Sequence, residues 1–283
     1  MRRLLLIGLV AGLAGCTNQL PFQEPAAAVV DGHAISMRTY QARLEVSRQR
    51  DPLAGLTTSP SSSPGAQRLE DFTIQQLIRE EIIWQEADRR KIHIRDGQVD
   101  SRIARLRGQA GATAFDAALG RNGFTAASFR DYQRAFLTEV AVVKAMAHER
   151  AASADVALGN GASFTAEASQ WSDDTGTRFR GGDVGWLKPA ELPESSLATA
   201  VGLLPTGGRT GIVSTGRGFV IATVLDRQGE QIHLAVILVL APDADLYTAE
   251  SRPPWFEQWV QDRRQSLEHD GRIQIRVGSG ARG

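Results

Sequence analysis

Apolar residues recur at helical spacing up to about residue 150 and then give way to strand-like runs, and that change of period restricts the chain to an α+β fold. Residues 67–91 carry Phe72, Leu77, Ile78, Ile82 and Ile83, a stripe expected to face a core. A second helix is predicted from Asp96, with Val99, Ile103 and Leu106 on one face, and a short third over 113–119. The clearest covers 125–148, where Phe129, Tyr132, Phe136, Val140 and Val143 share a face. Beyond it, residues 211–215, 218–225 and 231–240 read as strands. The last is nearly all apolar, as a central strand covered on both faces would be. Asp226-Arg227-Gln228-Gly229-Glu230 between the two longer runs reads as a hairpin turn. A final helix over 254–268 presents Trp255, Phe256, Trp259 and Val260, and Ile273, Ile275 and Val277 alternate as a last strand. With 42% hydrophobic and 23% charged residues, the chain has enough apolar material for a core.

The first 16 residues read as an export signal. Arg2 and Arg3 precede a short apolar run, Leu4 to Gly12, which is too short for the roughly 20 residues a membrane span needs. Leu13-Ala14-Gly15-Cys16 follows and has the form of a bacterial lipobox, with Cys16 as the acylated residue. The expectation is an exported lipoprotein anchored to the membrane and facing the cell surface or the periplasm. Residues 17–25 would be its tether, and residues 52–66, rich in Ser, Pro and Gly, a flexible surface loop.

Composition excludes several functions. Basic and acidic residues number 32 each, and loss of Arg2 and Arg3 with the signal leaves a mature charge near −2. Nucleic-acid binding, which needs a basic footprint, is not expected. Cys16 is the single cysteine, so the mature part has no internal disulfide and no thiol nucleophile. His33, His93, His148, His233 and His269 have no metal-ligand spacing, so neither a metal nor a cofactor is expected. No Gly-x-Ser-x-Gly or phosphate-loop pattern is present.

Three blocks carry a family resemblance. Ala28-Val29-Val30-Asp31-Gly32-His33-Ala34-Ile35-Ser36 and Leu77-Ile78-Arg79-Glu80-Glu81-Ile82-Ile83-Trp84-Gln85-Glu86-Ala87, the latter followed by Ile94 and Val99 to Ile103, are similar to the N-terminal helical domain of SurA/PrsA-type foldases. Phe164, Ala168 and Trp171-Ser172-Asp173-Asp174, then Gly181-Gly182-Asp183-Val184-Gly185-Trp186, resemble a parvulin domain. The resemblance implies a helical chaperone-like domain over 26–150 and a small parvulin-like antiparallel-sheet domain over 160–245. It also implies a C-terminal helix and strand, 250–278, that pack back on the helical domain.

Parvulins accelerate rotation about the bond before proline, whose barrier is about 18–20 kcal/mol, without metal or covalent intermediate. By resemblance, Asp174 and Thr215 occupy catalytic positions, and Leu192 (or Pro193), Leu197 and Phe219 are candidates for the proline pocket. The two core histidines of the family are replaced. Val220 stands in the strand that normally reads Gly-aromatic-His, and the strand that begins the parvulin domain has no room between residues 149 and 163. Leu234 to Val239 resembles that missing strand, so a permuted sheet is expected in which 231–240 pairs with 217–225 and Val236 takes the other histidine position. The expected function is a chaperone for unfolded or proline-containing exported polypeptides, with weak or no isomerase activity. The alternatives are an active peptidyl-prolyl isomerase and a dedicated assembly scaffold that binds one partner tightly.

Overall fold

The computed structural model describes residues 25–50 and 64–278. The signal with Cys16, the tether before Pro25 and most of the 52–66 loop lie outside the described residues.

The described chain opens with a hairpin, β1 (Ala26–Val30) and β2 (His33–Ser36). Its turn residues Asp31 and Gly32 both have positive φ, 53° and 83°, the backbone that matches a two-residue turn to strand twist. Ser36 Oγ accepts from the Thr39 amide at 3.1 Å and so caps α1 (Met37–Arg50). Then follow α2 (Pro64–Arg89), α3 (Asp96–Ala110), α4 (Ala112–Arg121) and α5 (Ala126–Gly159). Ile74, Ile78 and Ile82 of α2 are buried, whereas Phe72 is 56% exposed because it sits some 200° around the helix from Ile74.

The long helix does not stop at His148, as the aromatic stripe suggested; it continues to Gly159. Its second half is a stripe of alanines, Ala147, Ala151 and Ala154, all 1% exposed or less. Small side chains give a weak periodic signal, yet they let the sheet approach the helix closely. The same helix therefore serves both halves of the molecule.

After α6 (Phe164–Trp171) come β3 (Asp183–Leu187), α7 (Ser195–Gly202), β4 (Val213–Thr215), β5 (Gly218–Gln228) and β6 (Gln231–Leu240). These strands form a four-stranded sheet in the order β3-β6-β5-β4. The expected pairing of β5 with β6 is present, antiparallel from Gly218↔Leu240 to Gln228↔Gln231, and β6 is central. α7 covers one sheet face and α5 and α6 the other. A last helix, α8 (Pro254–His269), lays Phe256 and Val260 against Ile83 and Val143. β7 (Ile273–Ile275) then pairs with β1, so the end of the described chain closes the three-stranded sheet β2-β1-β7. Among the described residues no helix is long and apolar enough to cross a membrane.

Candidate functional site

The segment from α6 to β3 is sewn onto the stretch of β6 that lies beyond its pairing with β3. Asp173 donates its amide to the Leu238 carbonyl at 2.7 Å, and Ser172 Oγ accepts from the Leu238 amide at 3.2 Å. One turn later the Gly182 carbonyl accepts from the Val236 amide at 2.8 Å. Gly182 has φ 80°, and a Cβ there would collide with the Val236 carbonyl oxygen. Close backbone approach therefore explains the second glycine of the Gly-Gly-Asp run. Asp183 accepts from His233 Nε2 at 2.8 Å and from the Gly185 amide at 2.8 Å, and His233 stacks on Trp186.

Asp174 turns inward on its own loop. Its carboxylate accepts from Thr177 Oγ1 at 2.5 Å and from the Gly176 amide at 3.3 Å, which makes it a turn former. Thr215 is buried and donates to the Gly218 carbonyl at 2.9 Å, closing the β4–β5 turn. Leu197 and Val220 belong to the aliphatic cluster beneath α7, and Leu192 and Val236 pack at its margin. Ala222 is the direct cross-strand partner of Val236, so Val220 and Val236 are diagonal neighbours on one face.

Phe219 does not join them. It alternates to the other face, where it packs with Val143 and Phe256 and meets His148 edge-on at 5.2 Å. The seven positions thus divide into an aliphatic layer (Leu192, Leu197, Val220, Val236), a hairpin clasp (Thr215), a packing residue on the opposite face (Phe219) and Asp174, apart from all of them. The four side chains of the aliphatic layer pack beneath α7 and carry no hydrogen-bonding group.

Neighbouring side chains gain roles that the sequence did not signal. Asp173 Oδ2 accepts from the Leu240 amide at 2.8 Å and the Trp255 indole at 3.1 Å. Burial raises its pKa, and the Leu240 amide, the Arg150 charge and the Trp255 indole offset the rise only in part. Arg150 lies between the rings of Trp171 and Trp255, 5.1 and 4.9 Å from their centroids. Burial lowers its pKa, with the Asp173 charge opposing.

A second feature lies in the helical half. A cavity of about 270 Å³ runs between β2, α2 and α5, with Ile35, Leu77, Ile83 and Ala135 among its walls. Trp84, 49% exposed, stands at its mouth with His33 edge-on at 6.1 Å. Because β2 is an edge strand, its outer backbone is unpaired by the sheet. Trp84 falls off the buried stripe of α2, and that misfit to the period is the signal that could have singled it out.

These two halves define a helical module joined to a small antiparallel-sheet module. The comparisons agree in both parts: the SurA-like N-terminal domain family matches residues 3–141 and the PPIC-type PPIase domain family matches residues 138–226. The chain belongs to the SurA/PrsA-type foldases, with a SurA-like domain followed by a PPIC-type, or parvulin, domain. The PPIC-type match begins within α5 and ends before β6, so the central strand of the sheet is supplied from outside it.

Among solved structures, the peptidylprolyl isomerase PrsA of Bacillus anthracis is similar at 20% identity, over 70% of this chain and 88% of that one, with a TM-score of 0.23. The foldase protein PrsA of Lactococcus lactis is similar at 15% identity, over 89% and 95%, with a TM-score of 0.33. A SurA-like chaperone of Campylobacter jejuni is similar at 12% identity, over 87% and 94%, with a TM-score of 0.30. No curated protein matches the chain.

Proposed function

We propose that this chain is an exported, lipid-anchored chaperone whose parvulin module has given up isomerase chemistry. The observation that carries this reading is the aliphatic layer under α7, where Val220 and Val236, which the resemblance reads as replacing the family histidines, pack with Leu197. Asp174 and Thr215, the remaining candidates for catalysis, spend their hydrogen bonds on their own turns. Anchoring through Cys16 would hold the protein at the outer face of the membrane it was exported across, within reach of emerging unfolded chains. The groove beside β2 supports the holding role, since an extended segment could add to the strand edge and place an apolar side chain against Trp84.

The test is a prolyl isomerisation assay on a short X-Pro peptide, run alongside suppression of aggregation of a denatured client. Isomerisation at background with aggregation suppressed is the expected result. Trp84→Ala should weaken suppression severalfold without lowering the melting temperature, because the ring is half exposed. Isomerisation well above background would instead establish the enzyme reading, which the PPIC-type match favours. Tight one-to-one capture of a single folded partner, with no effect on aggregation, would replace both by a scaffold. Loss of fatty-acid labelling in Cys16→Ala checks the anchor.

A further inference from the structure

A cavity of about 530 Å³ opens beside α3, and its walls include Arg95, Gln98, Ser101, Arg102, Arg105 and Leu137. The wall carries three guanidinium groups and no carboxylate. Nearby acids are already engaged: Asp96 is held by Arg130 and Arg134, and Asp100 by Arg130. The ion pairs of Arg102 and Arg105 both end on one carboxylate, Asp245, at 3.2 and 2.9 Å. Asp245 is half exposed and lies in the segment between β6 and α8, outside the wall.

Arg102 is fixed before any ligand arrives. Its side chain is 11% exposed, its Nε donates to Gln133 Oε1 at 2.8 Å, and its guanidinium lies 4.3 Å from the centre of the Phe136 ring. Gln133 and Phe136 both belong to α5, so the fork is held by rigid elements. Burial lowers the pKa of Arg102, the charge of Asp245 opposes this, and the charge of Arg105 lowers it further. The guanidinium is thus partly desolvated and shares its one counterion with a second arginine, the setting in which an added anion gains most.

We propose that this cavity binds a phosphate monoester, held by the guanidinium forks of Arg102 and Arg105 with Arg95 at its rim. Three cationic groups against the single carboxylate leave a surplus of two charges, which a dianionic phosphate matches and a lone carboxylate does not. The volume exceeds what the phosphate alone fills, and Leu137 offers the remainder an apolar wall, so the phosphate would carry an organic substituent. Two sources share this chemistry, a soluble phosphate ester and the phosphate monoester headgroup of a membrane lipid.

Calorimetric titration of the full chain with glycerol 3-phosphate at fixed ionic strength is the direct test, paired with flotation on phosphatidylcholine vesicles with and without phosphatidic acid. Saturable binding is expected, weakened about tenfold or more in Arg105→Gln, which removes one charged fork. Asp245→Asn should tighten binding, because it frees both arginines from their competitor. That opposite sign separates a binding site from a damaged fold, which could only weaken binding. Binding of the soluble ester with this pattern assigns a soluble ligand; recruitment to phosphatidic acid vesicles alone, with the same pattern, assigns the lipid. The proposal is overturned if neither probe binds saturably, or if both variants bind as the unaltered chain does.

Discussion

Glu139 and Asp173 are both largely buried carboxylates that tie the C-terminal part of the chain to what precedes it, but their surroundings drive them in opposite directions. Glu139, on α5, accepts from both terminal nitrogens of Arg79 at 2.6 and 3.0 Å, from Arg252 Nε at 2.9 Å and from the Tyr247 hydroxyl at 2.8 Å. Burial pushes its pKa up, but the bond and charge of Arg79, then the Arg252 charge and the Tyr247 bond, pull it below the usual carboxylate range. Asp173 is bonded by neutral donors, and Arg150 beside it gives its guanidinium to two rings. The helical seam is therefore held by compensated charge, and the sheet seam by a carboxylate that the fold does not fully compensate. Deleting the first should leave an uncompensated cation; neutralising the second should leave almost nothing to repair.

The largest expected effect follows from the first half of that contrast. Glu139→Ala leaves Arg79, whose side chain is 12% exposed, with only the half-exposed Glu257 as partner. A loss of about 3–5 kcal/mol in urea unfolding is expected, as for other broken buried pairs. The Tyr247 hydroxyl and Arg252 also lose their acceptor, so the segment before α8 should loosen and exchange its amides faster. A loss below about 1 kcal/mol, within the range of exposed pairs, would show that the seam depends on apolar packing around Phe256 instead.

The backbone side of the sheet seam is tested by its two adjacent glycines. Gly182→Ala drives a methyl group into the Val236 carbonyl, a backbone atom that cannot turn aside, and it does so at φ 80°. Gly181 has similar φ, 72°, but its added Cβ meets the Thr165 hydroxyl at 2.7 Å, which a rotamer change can relieve. The expected losses are about 2–3 kcal/mol at 182 and about 1 kcal/mol at 181, from left-handed strain and, at 182, displacement of β6. Equal losses at the two positions would mean that conformation alone sets the cost and that the contact with Val236 contributes nothing.

The same contrast explains what was legible in the sequence. Backbone-level features that follow period or turn chemistry were readable: the central position of 231–240 and its hairpin pairing with β5. The continuation of α5 was not, because Ala147, Ala151 and Ala154 make a stripe through small size, which hydropathy periodicity registers weakly. Among site residues, the alternation of β5 already placed Phe219 and Val220 on opposite faces, yet the resemblance grouped Phe219 with the pocket; period was the better guide there. Asp173 and Glu139 gave no signal, because a carboxylate's partners come from distant segments, here Trp255 and Leu240 for one and Arg79, Tyr247 and Arg252 for the other.

The smallest effect is also the one that separates the two carboxylates most cleanly, because their contributions run in opposite directions with pH. Glu139 has a lowered folded pKa, so its stabilisation is present above the ordinary carboxylate value of 4.5 and is lost as pH falls through the lower folded value. Asp173 has a raised folded pKa, so the fold carries no charge penalty below its ordinary 3.8 and acquires one as pH rises from there through the raised value. Asp173→Asn keeps an acceptor for the Leu240 amide and the Trp255 indole while removing the charge. Measured against the unaltered chain, it should be neutral or slightly destabilising at the acid end and gain up to about 1 kcal/mol towards neutral pH, within the range of a hydrogen bond that exchanges a buried charged acceptor for a neutral one. The difference between the two proteins across the pH series isolates this carboxylate from Glu139, which both retain. A difference that shrinks as pH rises would give Asp173 a lowered folded pKa and would place Arg150 as its counterion after all, making the two seams alike.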